Sequence, residues 1–242
     1  MSGDGPEIQI HADGAALVAA TAETIIAAAA RAIELRGRFT IALSGGSTPR
    51  AVYERLGADP ALPWDRIEWC FGDERAVPPD HPDSNARMVR ESLLRPGFCR
   101  PERVHRIPAE LPPEQAAREY ERSLRALFPG AAWPEFDLML LGLGPDAHTA
   151  SLFPHSPALA ERAAWVADNW VQKLSAHRIT LTFPAIKAAR HVVFMVAGAD
   201  KAPALRAALA EDGDVSAAPA RGVRPEHGKL SYLVDRAAAT QL

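Results

Sequence analysis

Asp146 and His148 stand one residue apart, directly after Gly142-Leu143-Gly144-Pro145. A histidine gives or takes a proton near neutral pH, and a neighbouring carboxylate can hold its ring in place. The stretch before them, Phe136 to Leu141, is short and almost wholly apolar. An apolar run bounded by glycine and proline reads as a strand buried on both faces, as in a parallel sheet. The polar pair therefore falls beyond the carboxyl end of a central strand, where open α/β sheets bind ligands. The expectation is an active site.

Three further segments offer groups for an anion. In Leu43-Ser44-Gly45-Gly46-Ser47-Thr48-Pro49-Arg50, a strand end runs through two glycines into a helix start. Gly45 and Gly46 let backbone N–H groups approach an anion, Ser47 and Thr48 add hydroxyl donors, and the helix amino terminus favours negative charge. Pro49 suits the first helical position. The plainer alternative is a glycine turn with an ordinary Ser/Thr cap. In Gly198-Ala199-Asp200-Lys201, Asp200 looks like a cap, and Lys201 falls where the helix dipole disfavours a cation by about 0.3–1 kcal/mol. A bound anion removes that conflict, although a solvated lysine tolerates it. Asp73-Glu74-Arg75 follows another apolar run, and Arg75 presents a fork of donors for phosphate, carboxylate or a developing oxyanion. A surface ion-paired turn is the bland reading there, as a solvated side chain is for Arg178. Taken together, the two helix starts point to a phosphorylated substrate.

Other chemistries fit poorly. Gly142-x-Gly144-x-x-Ala147, with Asp168 downstream, formally matches a dinucleotide fingerprint. Pro145 interrupts it, and Pro154 and Pro157 break the helix that should follow. There is no Gly-Lys-Ser/Thr P-loop, no G-x-S-x-G elbow and no zinc spacing. Ser151 lacks the strained turn that a serine nucleophile needs, and the remaining histidines show no metal-like grouping. No metal and no organic cofactor is expected. A net charge of -3 with interspersed signs gives no footprint for nucleic acid or a membrane surface. Cys70 and Cys99 form no disulfide framework, so a reducing cytoplasm is the default. No signal-like amino terminus and no long apolar span are read, so neither secretion nor membrane insertion is expected.

The elements that must position these groups follow from periodicity. A hydrophobic content of 48% and a charged content of 24% suit one soluble α/β domain spanning all 242 residues. Helices are expected over Asp13 to Arg36, Ser47 to Leu56, Asn85 to Leu94, Glu114 to Leu127 and Lys201 to Ala210. Strands are expected at Phe39 to Leu43, Ile67 to Phe71, the run from Phe136, Trp165 to Ala167, Arg178 to Phe183, His191 to Ala197 and Leu230 to Val234. Their alternation predicts an open, mostly parallel, Rossmann-like sheet with helices on both faces.

With those pieces in place, the chain resembles the 6-phosphogluconolactonases of the glucosamine-6-phosphate isomerase/6-phosphogluconolactonase family. The resemblance rests on LSGGSTP from Leu43, GDERAVPPDHPDSN from Gly72, FDLMLLGLGPDAHTASLFP from Phe136, RITLTFP from Arg178 and AGADKA from Ala197. It implies hydrolysis of 6-phospho-D-glucono-1,5-lactone to 6-phosphogluconate in the pentose phosphate pathway, without metal or cofactor and without an obligatory protein partner. It also implies catalytic roles for His148, Asp146 and Arg75. Gly45, Gly46, Ser47, Thr48, Asp73, Arg178 and Lys201 would bind the substrate, with Arg75 serving either the oxyanion or the phosphate.

Glucosamine-6-phosphate deaminases, with a similar SGGSTP loop and a GxGxDGH turn, are the main alternative. Arg75 stands where they usually carry tyrosine, and Thr-Ala-Ser-Leu-Phe-Pro after His148 differs from their Ile-Ala/Gly-Phe-Asn-Glu-Pro. A non-catalytic sugar-phosphate module is a third reading, against which His148 is present. The chain departs from the family at Ala147, where glycine is usual, and at Asn169 to His177, which lacks a proline-rich approach to the strand.

Overall fold

The computed structural model describes residues 5–94 and 99–242. In chain order its strands are β1 (Glu7–His11), β2 (Phe39–Leu43), β3 (Ile67–Phe71), β4 (Asp73–Arg75), β5 (Val104–His105), β6 (Leu138–Gly142), β7 (Val166–Val171), β8 (Ala176–Leu181), β9 (His191–Val196) and β10 (Lys229–Asp235). The helices are α1 (Gly14–Arg36), α2 (Ser47–Gly57), α3 (Asn85–Ser92), α4 (Pro113–Leu127), α5 (Phe183–Lys187) and α6 (Ala202–Leu209).

Seven strands form a parallel sheet in the order β1-β10-β9-β6-β2-β3-β5. All five residues of β2 and of β3 are buried. Alternate residues face opposite sides of a strand, so both faces of the sheet are covered. From β2 the chain steps one way to β3 and β5, then returns to the other side with β6, β9 and β10. The reversal lies between β2 and β6. That is the switch point at which open α/β sheets leave a crevice at their carboxyl edge.

Two buried tyrosines secure that edge. The Tyr53 hydroxyl accepts from Ser44 N and donates to Ser44 O, both at 2.9 Å. Tyr120 does the same with Phe71 N and O, both at 2.8 Å. Each hydroxyl thus satisfies both backbone groups where a loop leaves its strand.

α1 begins on Asp13, whose carboxylate accepts from Ala16 N at 2.8 Å, and ends on Gly37 at φ 74. An aspartate N-cap and a left-handed glycine are ordinary helix start and stop devices. This 23-residue helix is long and apolar enough to cross a membrane by length and composition, contrary to the expectation of no such span. Its Leu17, Ala22, Ile25, Ala29 and Ala32 are buried instead against the protein's own core.

A second, three-stranded antiparallel sheet, beyond the expectation of a single parallel one, runs in the order β4-β8-β7. Asp73–Arg75, expected as a charged turn, is one of its strands, and the strand expected from Trp165 continues to Val171. β8 begins earlier than expected, at Ala176, and ends at Leu181. The strands β1 and β5 were also not anticipated, and α3 stops at Ser92 rather than Leu94.

Candidate active site

β6 lies between β9 and β2, so the loop carrying His148 is flanked by the loops carrying Lys201 and Gly45–Thr48. Adjacent strands are about 4.8 Å apart, which brings all three loops to one short stretch of the carboxyl edge. The loop after β3 leads into β4 on the other side of β2. The groups singled out in the sequence therefore share one edge of the sheet.

The turn after β6 is closed by Ala147 N to Gly144 O at 3.0 Å and Gly144 N to His148 O at 2.9 Å. Ala147 adopts φ 58, the left-handed region that glycine enters freely, and it is buried. The turn aims His148 back over Gly144, and its ring stacks on Phe153 with centroids 4.0 Å apart and planes 17° apart. The imidazole is 25% exposed, so water and substrate can reach it.

His148 Nδ1 lies 2.5 Å from Asp146 Oδ1. Burial raises the Asp146 carboxyl, but hydrogen bonds from His148 and Lys173 outweigh it and bring the value down to about 2. An ionised carboxylate only accepts, so Nδ1 carries the proton of this hydrogen bond, and Nε2 is the nitrogen left facing away from Asp146.

A cleft of about 230 Å³ opens beside this pair, lined among others by Asp73, Arg75, Asp146, His148, Lys173 and Arg178. Arg75 and Arg178 are directly paired across the β4–β8 ladder. Like charges in opposed positions repel, so this arrangement is costly until an anion joins it. Arg75 Nη1 donates to Asp83 O at 2.6 Å, while Arg178 Nε and Nη1 are buried without a partner. Burial and the adjacent Arg75 push the Arg178 guanidinium below its ordinary value. Unpaired buried donors of this kind are ready for an anionic ligand.

Behind the cleft, Asp73 accepts from Ser151 Oγ at 2.6 Å and from Asn85 Nδ2 at 3.4 Å. Ser151, dismissed as a nucleophile, is thus a buried brace for Asp73. Asn85 also donates to Asp73 O at 3.0 Å, and its amide fills the space a side chain on Gly45 would need. Gly45 is therefore coupled to the cleft through Asn85. Glu74 is buried and pushed up by that burial, although the N–H groups of Asn85, Ala86 and Arg75 oppose the rise. It anchors the start of α3.

The glycine turn differs from an ordinary capped helix. Gly46 occupies the N-cap position of α2 at φ 115, with no side-chain cap on the helix. Ser44 Oγ beside it is buried without a partner. Ser47, Thr48 and Lys201 do not line the cleft around His148. Asp200, expected as a cap, makes no capping bond and instead pairs with Lys201 Nζ at 3.1 Å. Lys173, which the sequence gave no reason to select, reaches the cleft from the β7–β8 turn. Among the described residues no group of three or more His, Cys, Asp or Glu side chains is arranged to hold a metal ion.

Residues 12–232 match the family model described as glucosamine-6-phosphate isomerases/6-phosphogluconolactonase. The 6-phosphogluconolactonase of Nostoc sp. is 44% identical over 238 residues, covering 97% of this chain and 98% of that protein. The Homo sapiens 6-phosphogluconolactonase is 40% identical over 241 residues, covering 97% and 93%. A solved 6-phosphogluconolactonase from Trypanosoma brucei superposes with a TM-score of 0.87 at 33% identity, covering 98% of each chain. A solved glucosamine-6-phosphate deaminase reaches a TM-score of 0.82 at 20% identity, covering 98% of this chain and 100% of that one, which is likeness of fold alone.

Proposed function

Because the chain belongs to the glucosamine-6-phosphate isomerase/6-phosphogluconolactonase family, we propose that it hydrolyses 6-phospho-D-glucono-1,5-lactone to 6-phosphogluconate. It is an enzyme of the lactonase type. The observation that carries the mechanism is the ionised Asp146 holding His148 Nδ1 at 2.5 Å, beside two arginines facing each other across a ladder.

His148 Nε2 takes a proton from water as its oxygen adds to the C1 carbonyl. The carbonyl π electrons move to oxygen, and Arg75 with nearby backbone N–H groups stabilises that oxyanion. Collapse of the tetrahedral intermediate breaks the bond from C1 to the ring oxygen. The imidazolium returns its proton to that oxygen, releasing the open-chain acid. A lactone is already an activated ester, so no covalent enzyme intermediate is required. Asp146 keeps the ring in register and stabilises its charged form.

The phosphate sits away from the carbonyl, held by Gly45, Gly46, Ser47, Thr48, Arg178 and Lys201. The uncapped start of α2 supports this placement, since its free N–H groups and dipole favour an anion. Asp73, an acceptor, suits a ring hydroxyl rather than phosphate. The protein acts in the cytoplasm on a small sugar-phosphate lactone as one α/β unit, needing no cofactor, nucleic acid, membrane or protein partner.

Acid release from lactone generated in situ, above the spontaneous rate, tests this reading. Ammonia release from glucosamine 6-phosphate without lactone turnover would favour the deaminase instead.

A further inference from the structure

One charged side chain in the cleft has no part in the mechanism above. Lys173 Nζ lies 2.9 Å from Asp146 Oδ2, while the other oxygen of that carboxylate takes His148 Nδ1. Building on the lactonase reading, we propose that Lys173 is a positioning residue that fixes the Asp146 carboxylate from its far side and thereby tunes the His148 base.

The terminal torsion of an aspartate is broad, and both other donors, His148 Nδ1 at 2.5 Å and His148 N at 3.4 Å, bond the same oxygen, Oδ1, leaving Oδ2 to Lys173. Donors on both oxygens define it, and the plane of the carboxylate sets the direction of the imidazole. Stability is not the purpose of this contact. The Lys173 side chain is 65% exposed, and an exposed ion pair contributes little to folding.

Lys173 also sets the local charge. The groups facing His148 are Asp146 on its own loop, Lys173 at the β7–β8 turn, Asp73 and Arg75 on β4, and Arg178 on β8. With Lys173 the cations among them outnumber the carboxylates; without it they balance. An imidazole holds its proton more tightly when a nearby cation is lost. Lys173 thus adds a positive charge beside the ring, which a neutral side chain in its place would remove.

The turn that presents Lys173 has its own support. Trp170 meets His177 edge-on with centroids 5.0 Å apart, and its indole N–H donates to Gln172 Oε1 at 3.1 Å. Replacing the lysine should therefore leave the turn standing.

Lys173→Met and Lys173→Arg in the full chain test the proposal, first without substrate by following the His148 imidazole by NMR across pH. The methionine variant should move its titration up by about half a pH unit, the scale of one unit charge several ångströms away in a solvated site. Arginine should restore it. In turnover of the lactone, methionine should lower kcat about tenfold, arginine should recover most of that loss, and KM should stay within about twofold. An unmoved titration overturns the role of Lys173 whatever the enzyme hydrolyses. A raised KM at unchanged kcat also overturns it, making Lys173 a substrate contact. A wild-type protein inactive on the lactone overturns the parent reading alone, and the titration still decides on Lys173.

Discussion

A side chain on Gly144 would place its first carbon 2.0 Å from Nδ1 of His148. The end of β6 therefore reserves, by the lack of a Cβ, the space in which the imidazole meets Asp146. Gly144 is not in the left-handed region, so alanine is conformationally acceptable there. Gly144→Ala should displace the His148 ring from its place against Asp146 and Phe153 and leave the sheet intact. We expect kcat to fall by about 10²-fold or more, the loss of a positioned general base. Thermal unfolding should shift by only a few degrees. Steady-state kinetics and a melting curve measure both.

Ala147 is held at φ 58, in the left-handed region. Relieving a left-handed alanine is worth about 1–2 kcal/mol, but glycine loses about 0.5–1 in chain entropy and the buried methyl about 0.8. These terms nearly cancel. Ala147→Gly should change stability by less than about 1 kcal/mol, whereas Ala147→Val should cost more than about 2, because a β-branched residue fits that region badly. Denaturant titration of both variants distinguishes the cases.

His191 lies at the amino end of β9, on the opposite edge of the sheet from the His148 loop, with its ring 2.9 Å from Ser231 Oγ. Burial, reinforced by Lys229, lowers its value from 6.5 to about 4, against a weaker opposing pull from Glu7. As pH falls, the unfolded chain takes up this proton before the folded one does. Its contribution is thus full above about pH 6.5 and is lost progressively toward pH 4. Melting temperatures of His191→Gln across that window should fall less steeply than those of the wild type. Parallel curves would remove His191 as a source of acid sensitivity.

Much of the fold was readable because its strands are short apolar runs between glycines and prolines. Phe39 to Leu43 and Ile67 to Phe71 matched residue for residue. The small antiparallel sheet was not read, although the alternation of Arg178, Ile179, Thr180 and Leu181 marked a strand with two different faces. Pairing with Asp73–Arg75 is a long-range register that three charged residues do not announce. The aspartate–histidine pair was legible because both residues lie on one short turn. Lys173 was not, since a lone lysine between two strands carries no spacing signal, and its contact with Asp146 depends on how the second sheet docks. The same docking sets Arg75 against Arg178, a pairing that neither segment announces by itself.

Turnover of 6-phosphogluconolactone by His148→Ala, corrected for spontaneous hydrolysis, is the most direct test. We predict a loss of about 10²–10⁴-fold in kcat with KM little changed. Hydrolysis at the wild-type rate would contradict the assignment of the base.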